Sequence, residues 1–237
     1  MFKYGQYCPV AQALEILGDR WTLLIVRDLL SGTRHFNHLA RGLPGISRGL
    51  LASRLQRLQD TGLLEKEESA GGRTATTYVL TEAGLALRPV IGALMVWGAN
   101  WSFGEPDPKA LDPLLLMWWM HDRVHTDRLP ADRIVIEFNF RTASRDLYWL
   151  VVKPGDVSLC VQHPGFDVDV FVEADLAIYY KVWMGWLDYE AAVGAGLIRL
   201  DALPAYRRDF PSWFAWSIAA PTIRSVRDAR ASAPNET

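Results

Sequence analysis

The fold of the first part of this chain is decided by the stretch from Pro44 to Val79, which reads PGISRGLLASRLQRLQDTGLLEKEESAGGRTATTYV. A turn at its start is followed by Ser47, which can cap a helix. Leu51, Leu55 and Leu58 recur at spacings of four and three residues, so they share one face of that helix. The opposite arc is small, polar and basic, and holds Gly49, Ala52, Ser53, Gln56 and Arg57.

A hairpin is predicted directly after this helix. Gly62 predicts the helix end, and strand-like runs at about 63–68 and 74–80 flank a Gly71-Gly72 tip. Arg73 stands at that tip, where it can reach the backbone or the minor groove of DNA.

Three helices are predicted before the turn. They cover 8–17, then 21–30 with Asp19 as its cap, then about 36–42. These three helices, the helix that begins after Ser47 and the hairpin together make a winged helix-turn-helix. In this motif the helix before the hairpin enters the major groove of DNA.

The charge distribution agrees with a phosphate-facing surface. Residues 1–104 carry 11 Lys and Arg against 8 Asp and Glu, whereas the remainder carries 14 against 19. No acidic residue occurs between Leu29 and Gln59, a stretch with five arginines: Arg34, Arg41, Arg48, Arg54 and Arg57. The alternative is a solvated arginine face without a partner.

The predicted DNA contacts divide by geometry. Base edges are assigned to Arg48 and Ser53, in the amino-terminal half of the helix, and phosphates to Arg57, Lys66 and Arg73. Arg54 lies near the apolar seam and either contacts DNA or pairs inside the domain. The whole predicted set is Ser47, Arg48, Gly49, Ala52, Ser53, Arg54, Arg57, Lys66 and Arg73.

An apolar helix follows the hairpin. Thr81 can cap a helix through about Leu87, and Pro89 opens another over Val90–Trp101 that is apolar around much of its girth. Such a helix needs a partner. A second copy of the chain and burial against a second domain both remain open.

Residues 8–102 resemble an HxlR-type regulator, a branch of the MarR-like winged helices. The matching text is Cys8-Pro9, Leu17-Gly18-Asp19-Arg20-Trp21-Thr22, Phe36-Asn37-His38-Leu39, Gly45-Ile46-Ser47, Leu51, Arg54-Leu55, Leu58, Gly62-Leu63 and Tyr78-Val79-Leu80-Thr81-Glu82-Ala83-Gly84. The resemblance implies a homodimer on a roughly palindromic double-stranded operator, with one recognition helix in each half-site. In some relatives a cysteine near Cys8 senses oxidants, so Cys8 is a candidate redox sensor; the alternative is a packed small side chain.

A second domain is predicted after a polar break at 102–108. Alternating apolar residues predict strands, and apolar runs with cap residues predict helices. The strands are 134–140, 147–152, 157–162, 168–172 and 197–200; the helices are 114–125, 176–187 and 189–195.

This second part resembles the sterol-carrier-protein type of domain from about residue 112 to 210. The matching text is Val168–Val172, Asp175, Gly185-Trp186-Leu187, Ala191-Ala192, Gly194-Ala195-Gly196 and Ile198. The resemblance implies a curved, mainly antiparallel sheet with helices on one face and an apolar tunnel that binds lipids and similar molecules. The sequence departs from the type at Ala202-Leu203-Pro204 and adds Trp213, Phe214 and Trp216, which could close or fill a tunnel.

Aromatic residues are the predicted ligand-binding set of this domain. Large flat side chains with one polar atom suit a mostly apolar or aromatic ligand, although ordinary core packing explains many of them as well. The set is Trp118, Trp149, Tyr179, Tyr180, Trp183, Trp186 and Trp213, with Glu137, Asn139 and Lys181 as candidate polar anchors.

Other functional classes find little support. His121 and His125 have the i, i+4 spacing of a zinc site, but Asp122 replaces the usual Glu and no third ligand is evident, so we expect no metal. We find no catalytic constellation and expect neither an enzyme nor a cofactor. The absence of a signal peptide pattern and of a long apolar run predicts a cytoplasmic protein without a membrane partner.

The sequence as a whole predicts an α+β protein with two domains. Residues 1–104 form a winged helix-turn-helix for DNA binding and dimerisation, 112–220 a sterol-carrier-like sandwich, and 221–237 a flexible tail. The predicted function is a homodimeric DNA-binding regulator whose second domain binds a small apolar effector. The alternative is a lipid or metabolite carrier whose winged helix contacts protein.

Overall fold

The protein forms two compact units in the computed structural model, Met1–Leu94 and Met95–Thr237. The structure describes residues 3–68, 76–130, 132–141 and 146–232. The division falls ten residues before the predicted boundary near residue 104. Its cause is that Ala99, on the helix that crosses the division, packs with Ile223 and Val226 of the second unit.

The first unit confirms the predicted order of helices and hairpin. Its last helix, α6, crosses into the second unit. The elements are α1 Pro9–Leu17, α2 Thr22–Leu30, α3 Phe36–Gly42, α4 Arg48–Asp60, β1 Leu64–Glu68, β2 Thr76–Leu80, α5 Glu82–Leu85 and α6 Arg88–Trp101. The predicted hairpin tip, Gly71-Gly72 with Arg73, lies outside the described residues.

Helix α4 forms for the reasons its sequence suggests. The Ser47 hydroxyl accepts a hydrogen bond from the Leu50 amide at 3.2 Å, which satisfies one of the unpaired donors at the helix start. Leu51, Leu55 and Leu58 are buried, at 0%, 1% and 1% exposure. The wing is held to the domain by a hydrogen bond of 2.8 Å from the Tyr78 amide to the Arg34 carbonyl.

Two details of the first helices differ from prediction. Trp21, with φ +82°, occupies the cap position of α2, and Asp19 makes ion pairs with α4 instead of capping. In α1 the buried residue is Ala11, whereas Val10 and Leu14 are exposed. The predicted helix is present, but its apolar residues Val10 and Leu14 do not enter the core of the chain.

Helix α6 carries an exposed apolar stripe. At 3.6 residues per turn, Val90, Leu94, Trp97 and Trp101 fall within an arc of about 60°. All four are more than 40% exposed, and Trp101 reaches 79%.

The helical stretch Glu82–Trp101 also has the length and composition of a membrane span. It covers 20 residues, and an 18-residue window within it has a mean hydropathy of 1.2 and is 17% buried. Length and composition are weak support for a span, and the expectation that the protein has no membrane partner stays a prediction.

The second unit is a five-stranded sheet with helices, in the order β5-β4-β3-β6-β7. β3 and β6 run parallel, and the other neighbouring pairs are antiparallel. The predicted mixed α and β composition is confirmed. The elements are α7 Pro113–His121, β3 Ile134–Arg141, β4 Asp146–Lys153, β5 Asp156–Cys160, β6 Val170–Asp175, α8 Leu176–Met184, α9 Tyr189–Gly194, β7 Ile198–Ala202, α10 Pro204–Asp209 and α11 Ala220–Ser232.

The two faces of this sheet differ in what covers them. On one face, Ile134, Ile136, Phe138 and Phe140 of β3 join the main core together with residues of α7, α8 and α9. On the other face, Val135 packs in a small apolar cluster with Trp149 and Val151. The predicted alternation of β3 is therefore correct, although its second face is buried as well.

The end of α7 and the structure of the carboxyl-terminal segment differ from prediction. α7 ends at His121 instead of residue 125, because the chain there turns into a bridge of Val124 with Phe214. The predicted flexible tail at 221–237 contains α11, where Ile223 and Val226 are buried three residues apart. Those two apolar residues suffice to hold a segment of otherwise polar composition.

Gly185 ends α8 in a conformation and a space that favour glycine. Its φ is +86°, and a Cβ there would lie 2.6 Å from the Ala220 carbonyl oxygen. We expect Gly185→Ala to destabilise the protein by about 2 kcal/mol. Gly155→Ala is the control, since Gly155 has φ +74° but open space around its Cβ, and should cost about 1 kcal/mol. Hydrogen exchange of peptides from the second unit measures the loss of stability in each variant, and equal losses would contradict the close approach.

Candidate nucleic-acid interface

The outward face of α4 is the candidate contact surface for nucleic acid. Arg48, Gly49, Ala52 and Ser53 are exposed, as is Ser47, whose hydroxyl also serves as the helix cap. Nothing lies within 4 Å of a Cβ built on Gly49, so this part of the helix is open to close approach. The arrangement presents backbone, one hydroxyl and one guanidinium at the amino-terminal end of a helix whose opposite face is buried.

Arg48 is oriented by the preceding helix. Its guanidinium donates a 2.7 Å hydrogen bond to the Asn37 side-chain oxygen and lies 5.1 Å from the centre of the Phe36 ring. α3 and α4 therefore share one polar contact at their exposed junction. Asn37 was identified from the sequence only as part of the motif that resembles the HxlR type. Its hydrogen bond with Arg48 was not predicted.

Arg57, which was predicted to contact phosphates, makes contacts inside the domain. Its guanidinium contacts Asp19 at 2.5 Å and also donates to the Glu15 carbonyl oxygen. Arg54 contacts the same Asp19 carboxylate at 3.2 Å and donates to the Arg20 carbonyl at 3.3 Å, which agrees with the internal alternative. Both arginines brace α4 against the chain around α1, because one half-buried carboxylate attracts them both.

The predicted wing contacts are described only in part. Lys66 on β1 is exposed, and its ammonium lies 6.0 Å from the centre of the Tyr78 ring, an orientation that leaves it accessible to a phosphate. Arg73 lies outside the described residues. Of the five arginines in the acid-free stretch, Arg34, Arg41 and Arg48 are exposed.

Cys8 stands at the cap position of α1 and is half-buried. The backbone amides of Ala11 and Val10, at the start of the helix, lower the pKa of its thiol because they stabilise the thiolate. The second cysteine, Cys160, lies in β5.

A lowered pKa makes a testable difference in thiol reactivity. Since the thiolate is the nucleophile, the rate of Cys8 alkylation by iodoacetamide should rise with pH through a midpoint below the ordinary thiol value of about 8.5. Peptide mass spectrometry of the labelled protein separates Cys8 from Cys160, and Cys8→Ser should remove the early-titrating label. A midpoint at or above the ordinary value would contradict this.

The aromatic residues predicted to bind a ligand lie in four places, one of which is that of Trp149 on the other face of the sheet. Tyr179, Tyr180, Trp183 and Trp213 belong to the main core, where Phe214 also lies and Trp216 packs against it. Trp186 packs against the cluster of Ala99, Ile223 and Val226, and Trp118 lies edge-on to His121 at 5.0 Å.

Trp149 lies apart from the aromatic residues of the main core, in contrast to its prediction as part of one set with them. It faces the opposite side of the sheet, where its Nε1 donates to Glu137 at 2.8 Å. The reason is register: Trp149 lies opposite Glu137 on the neighbouring strand, so both point away from the main core.

The predicted polar anchors differ in their hydrogen-bond and ion-pair partners. Glu137 accepts from Trp149, and Lys181 forms an ion pair with Glu105 at 3.1 Å. Asn139 is 2% exposed, and its Oδ1 has no partner within the described part of the chain. Glu137 and Asn139 lie two residues apart on one face of β3, whereas Lys181 lies on α8.

The main core retains unpaired polar atoms. The Tyr179 and Tyr189 hydroxyls and the Trp213 Nε1 are buried without hydrogen-bond partners among the residues described. Burial raises the pKa of Tyr179 well above its ordinary value, and the neighbouring Tyr189 raises it further. Both hydroxyls therefore stay protonated across the physiological range.

Comparison with known proteins identifies a family and several relatives that are similar to the first part of the chain. The family model for the HxlR-like helix-turn-helix matches residues 16–105. An uncharacterised HTH-type transcriptional regulator of Mycobacterium tuberculosis is 46% identical over 89 residues, which are 38% of this chain and 56% of that protein. The chain thus spans about half the length of this relative.

Two further relatives come from Bacillus subtilis. The uncharacterised HTH-type transcriptional regulator YvaP is 33% identical over 109 residues, 46% of this chain and 97% of that protein. The solved reduced form of the transcriptional regulator YodB is 31% identical, covers 41% of this chain and 96% of the YodB chain, and gives a TM-score of 0.37.

Proposed function

Because the chain belongs to the HxlR-like helix-turn-helix family, we propose that it is a transcriptional regulator that binds double-stranded DNA as a homodimer. The observation that carries the proposal is the exposed amino-terminal face of α4, held outward by three buried leucines. Arg48 and Ser53 are its base-reading residues, and Lys66 and Arg73 contact phosphates. Gly49 and Ala52 let the helix backbone approach the groove.

The homodimer is assigned to the exposed stripe on α6. Val90, Leu94, Trp97 and Trp101 form a continuous apolar surface whose burial in a dimer is favourable. Two such helices would hold two recognition helices at the spacing of successive half-sites.

A charge placed in this stripe should dissociate the dimer. We expect Trp97→Glu to be monomeric at concentrations where the unchanged protein sediments as a dimer, because an ionised carboxylate in an apolar interface is costly. Val96→Glu is the control, since Val96 is 49% exposed on the same helix but lies off the stripe. Sedimentation equilibrium compares the three proteins, and a Val96→Glu protein that dissociates as readily would remove the stripe from the interface.

The second unit is proposed to be a sterol-carrier-like domain that binds a small apolar effector. Support comes from the mainly antiparallel sheet with its large helix-covered core. The effector must bind one arrangement of the dimer better than another, since equal binding shifts nothing. A tenfold change in operator affinity requires a coupling of about 1.4 kcal/mol.

The rival function is a lipid or metabolite carrier whose winged helix contacts protein. One observation favours it: Asp19 engages Arg54 and Arg57, which reduces the positive charge available for phosphates. The two functions separate in a gel-shift titration with the DNA upstream of the protein's own gene. Retarded, saturable binding supports the regulator, and its absence, together with lipid in the mass spectrum of an extract of the purified protein, supports the carrier.

A further inference from the structure

An apolar cleft lies beside the carboxyl-terminal half of α6. Its volume is about 200 Å³, and it is lined by Met95, Gly98 and Ala99 of α6, by Phe103, by Met184 of α8 and by Ile223 of α11. None of the residues that line it is ionisable, and Ser102 supplies its one hydroxyl. None of the predicted ligand-binding aromatic residues lines the cleft, and Met184 is the lining residue that also packs against the main core.

The size and chemistry of the cleft select a class of ligand. The cleft is partly open to solvent, and its volume of about 200 Å³ is sufficient for a single aromatic ring with a small substituent. The two methionines provide adaptable walls, and the Phe103 ring stacks on Trp186 at 6.1 Å to form a flat one. A carboxylate or ammonium would enter without a counter-charge and lose its hydration.

The position of the cleft connects it to the proposed dimer. The mean direction of Met95, Gly98 and Ala99 lies about 120° around α6 from the mean direction of the stripe of Val90, Leu94, Trp97 and Trp101. A ligand wedged between α6 and α11 therefore touches one side of the helix whose other side is assigned to the dimer.

From these observations we propose that the cleft is a binding site for a small uncharged aromatic molecule, and that its occupant is the effector. The second half of this proposal rests on the proposed regulator function, whereas the first half is a binding property of the chain. A ligand in the cleft fixes the position of α6 against α8 and α11, and thereby favours one arrangement of the paired helices.

The site can be filled without changing the rest of the helix. A Cβ on Gly98 meets nothing within 4 Å, so the side chain of Gly98→Leu has room to occupy the cleft. Gly92→Leu is the matched control, because Gly92 is another half-buried glycine of α6 with equally open space and does not line the cleft.

Calorimetric titration with toluene tests the binding directly, with benzoate as the charged probe of similar size. We expect toluene to bind the unchanged protein and Gly92→Leu, and to bind Gly98→Leu at least about tenfold more weakly; benzoate should bind none of them. Toluene binding that survives Gly98→Leu, or is lost equally in Gly92→Leu, overturns the site. Benzoate binding as tight as toluene overturns the ligand class.

A second variant covers the case in which Gly98→Leu does not fold. Met184→Ala enlarges the cleft and should shift the preference from toluene towards naphthalene. An unchanged preference overturns the site. Toluene binding that disappears as protein concentration rises into the range of self-association places a second copy in the cleft and overturns the proposal as well.

The effector role has its own readout. Operator affinity is measured by fluorescence anisotropy with and without saturating toluene, in the unchanged protein and in Gly98→Leu. A change of about threefold or more that is absent in Gly98→Leu supports the role. Toluene binding without any change in DNA affinity refutes the effector role and leaves the site, whereas a protein that never binds DNA refutes the proposed function, and the effector role with it, and leaves only the binding site.

Discussion

Leu55→Ala should destabilise the winged helix by about 2–5 kcal/mol and abolish operator binding near physiological temperature. Leu55 is 1% exposed and lies at the centre of the leucine face of α4, so its truncation leaves a cavity under the recognition helix. Because the protein has two compact units, a single global unfolding curve is not a clean measure. Hydrogen exchange of peptides from 48–60 reports the free energy of opening α4 itself.

Leu50→Ala is the matched control for that experiment. Leu50 belongs to the same helix but is only half-buried, so the same truncation should raise exchange much less and leave DNA binding intact. If both variants lose protection equally, the leucine face is not what holds α4 in place.

The second large effect is expected from comparing two arginines of α4. Arg48→Ala should lower the preference for the operator over unrelated DNA by about tenfold or more, since one base contact is worth about 1–3 kcal/mol of discrimination. Its exposed side chain makes one hydrogen bond, to Asn37, so folding stability should change little.

Arg57→Ala should behave in the opposite way. Its side chain is 26% exposed and bonded to Asp19 and to Glu15, so its removal should cost about 1 kcal/mol of stability after allowance for solvent screening. The salt dependence of DNA binding should not change. Competition titrations at several salt concentrations distinguish the two variants. A flatter salt slope for Arg57→Ala would restore the phosphate role, and an unchanged operator preference for Arg48→Ala would remove its base-reading role.

The recognition helix was predictable because its signals are local. Ser47 as the cap and the leucines at 51, 55 and 58 lie within twelve residues, and each acts through the backbone geometry of one helix. The same reasoning located α3 and both strands of the wing.

The role of Arg57 was not predictable from its place on the helix. Its angular position is outward, but a long side chain can reach back, and its partner Asp19 is 38 residues away in the sequence. A helical wheel reports the direction of the Cβ atom and not the end of an arginine.

In the second unit, the alternation of apolar residues predicted the strands but not which residues cover each face of the sheet. Trp149 alternates correctly within β4, yet its face is the one opposite the main core. α11 was missed because its buried residues, Ala220, Ile223 and Val226, are too few to outweigh its polar composition. In both cases the deciding partners lie far away in the chain.

The central claim is that α4 and the wing bind the phosphates and bases of duplex DNA. A titration of the DNA upstream of the protein's own gene, from low to physiological salt, tests this most directly. We predict saturable binding whose log K falls linearly with log salt, with a slope steeper than about −3 for a dimer that contacts several phosphates. Binding that ignores salt concentration, or no binding to duplex DNA at the lowest salt, would contradict it.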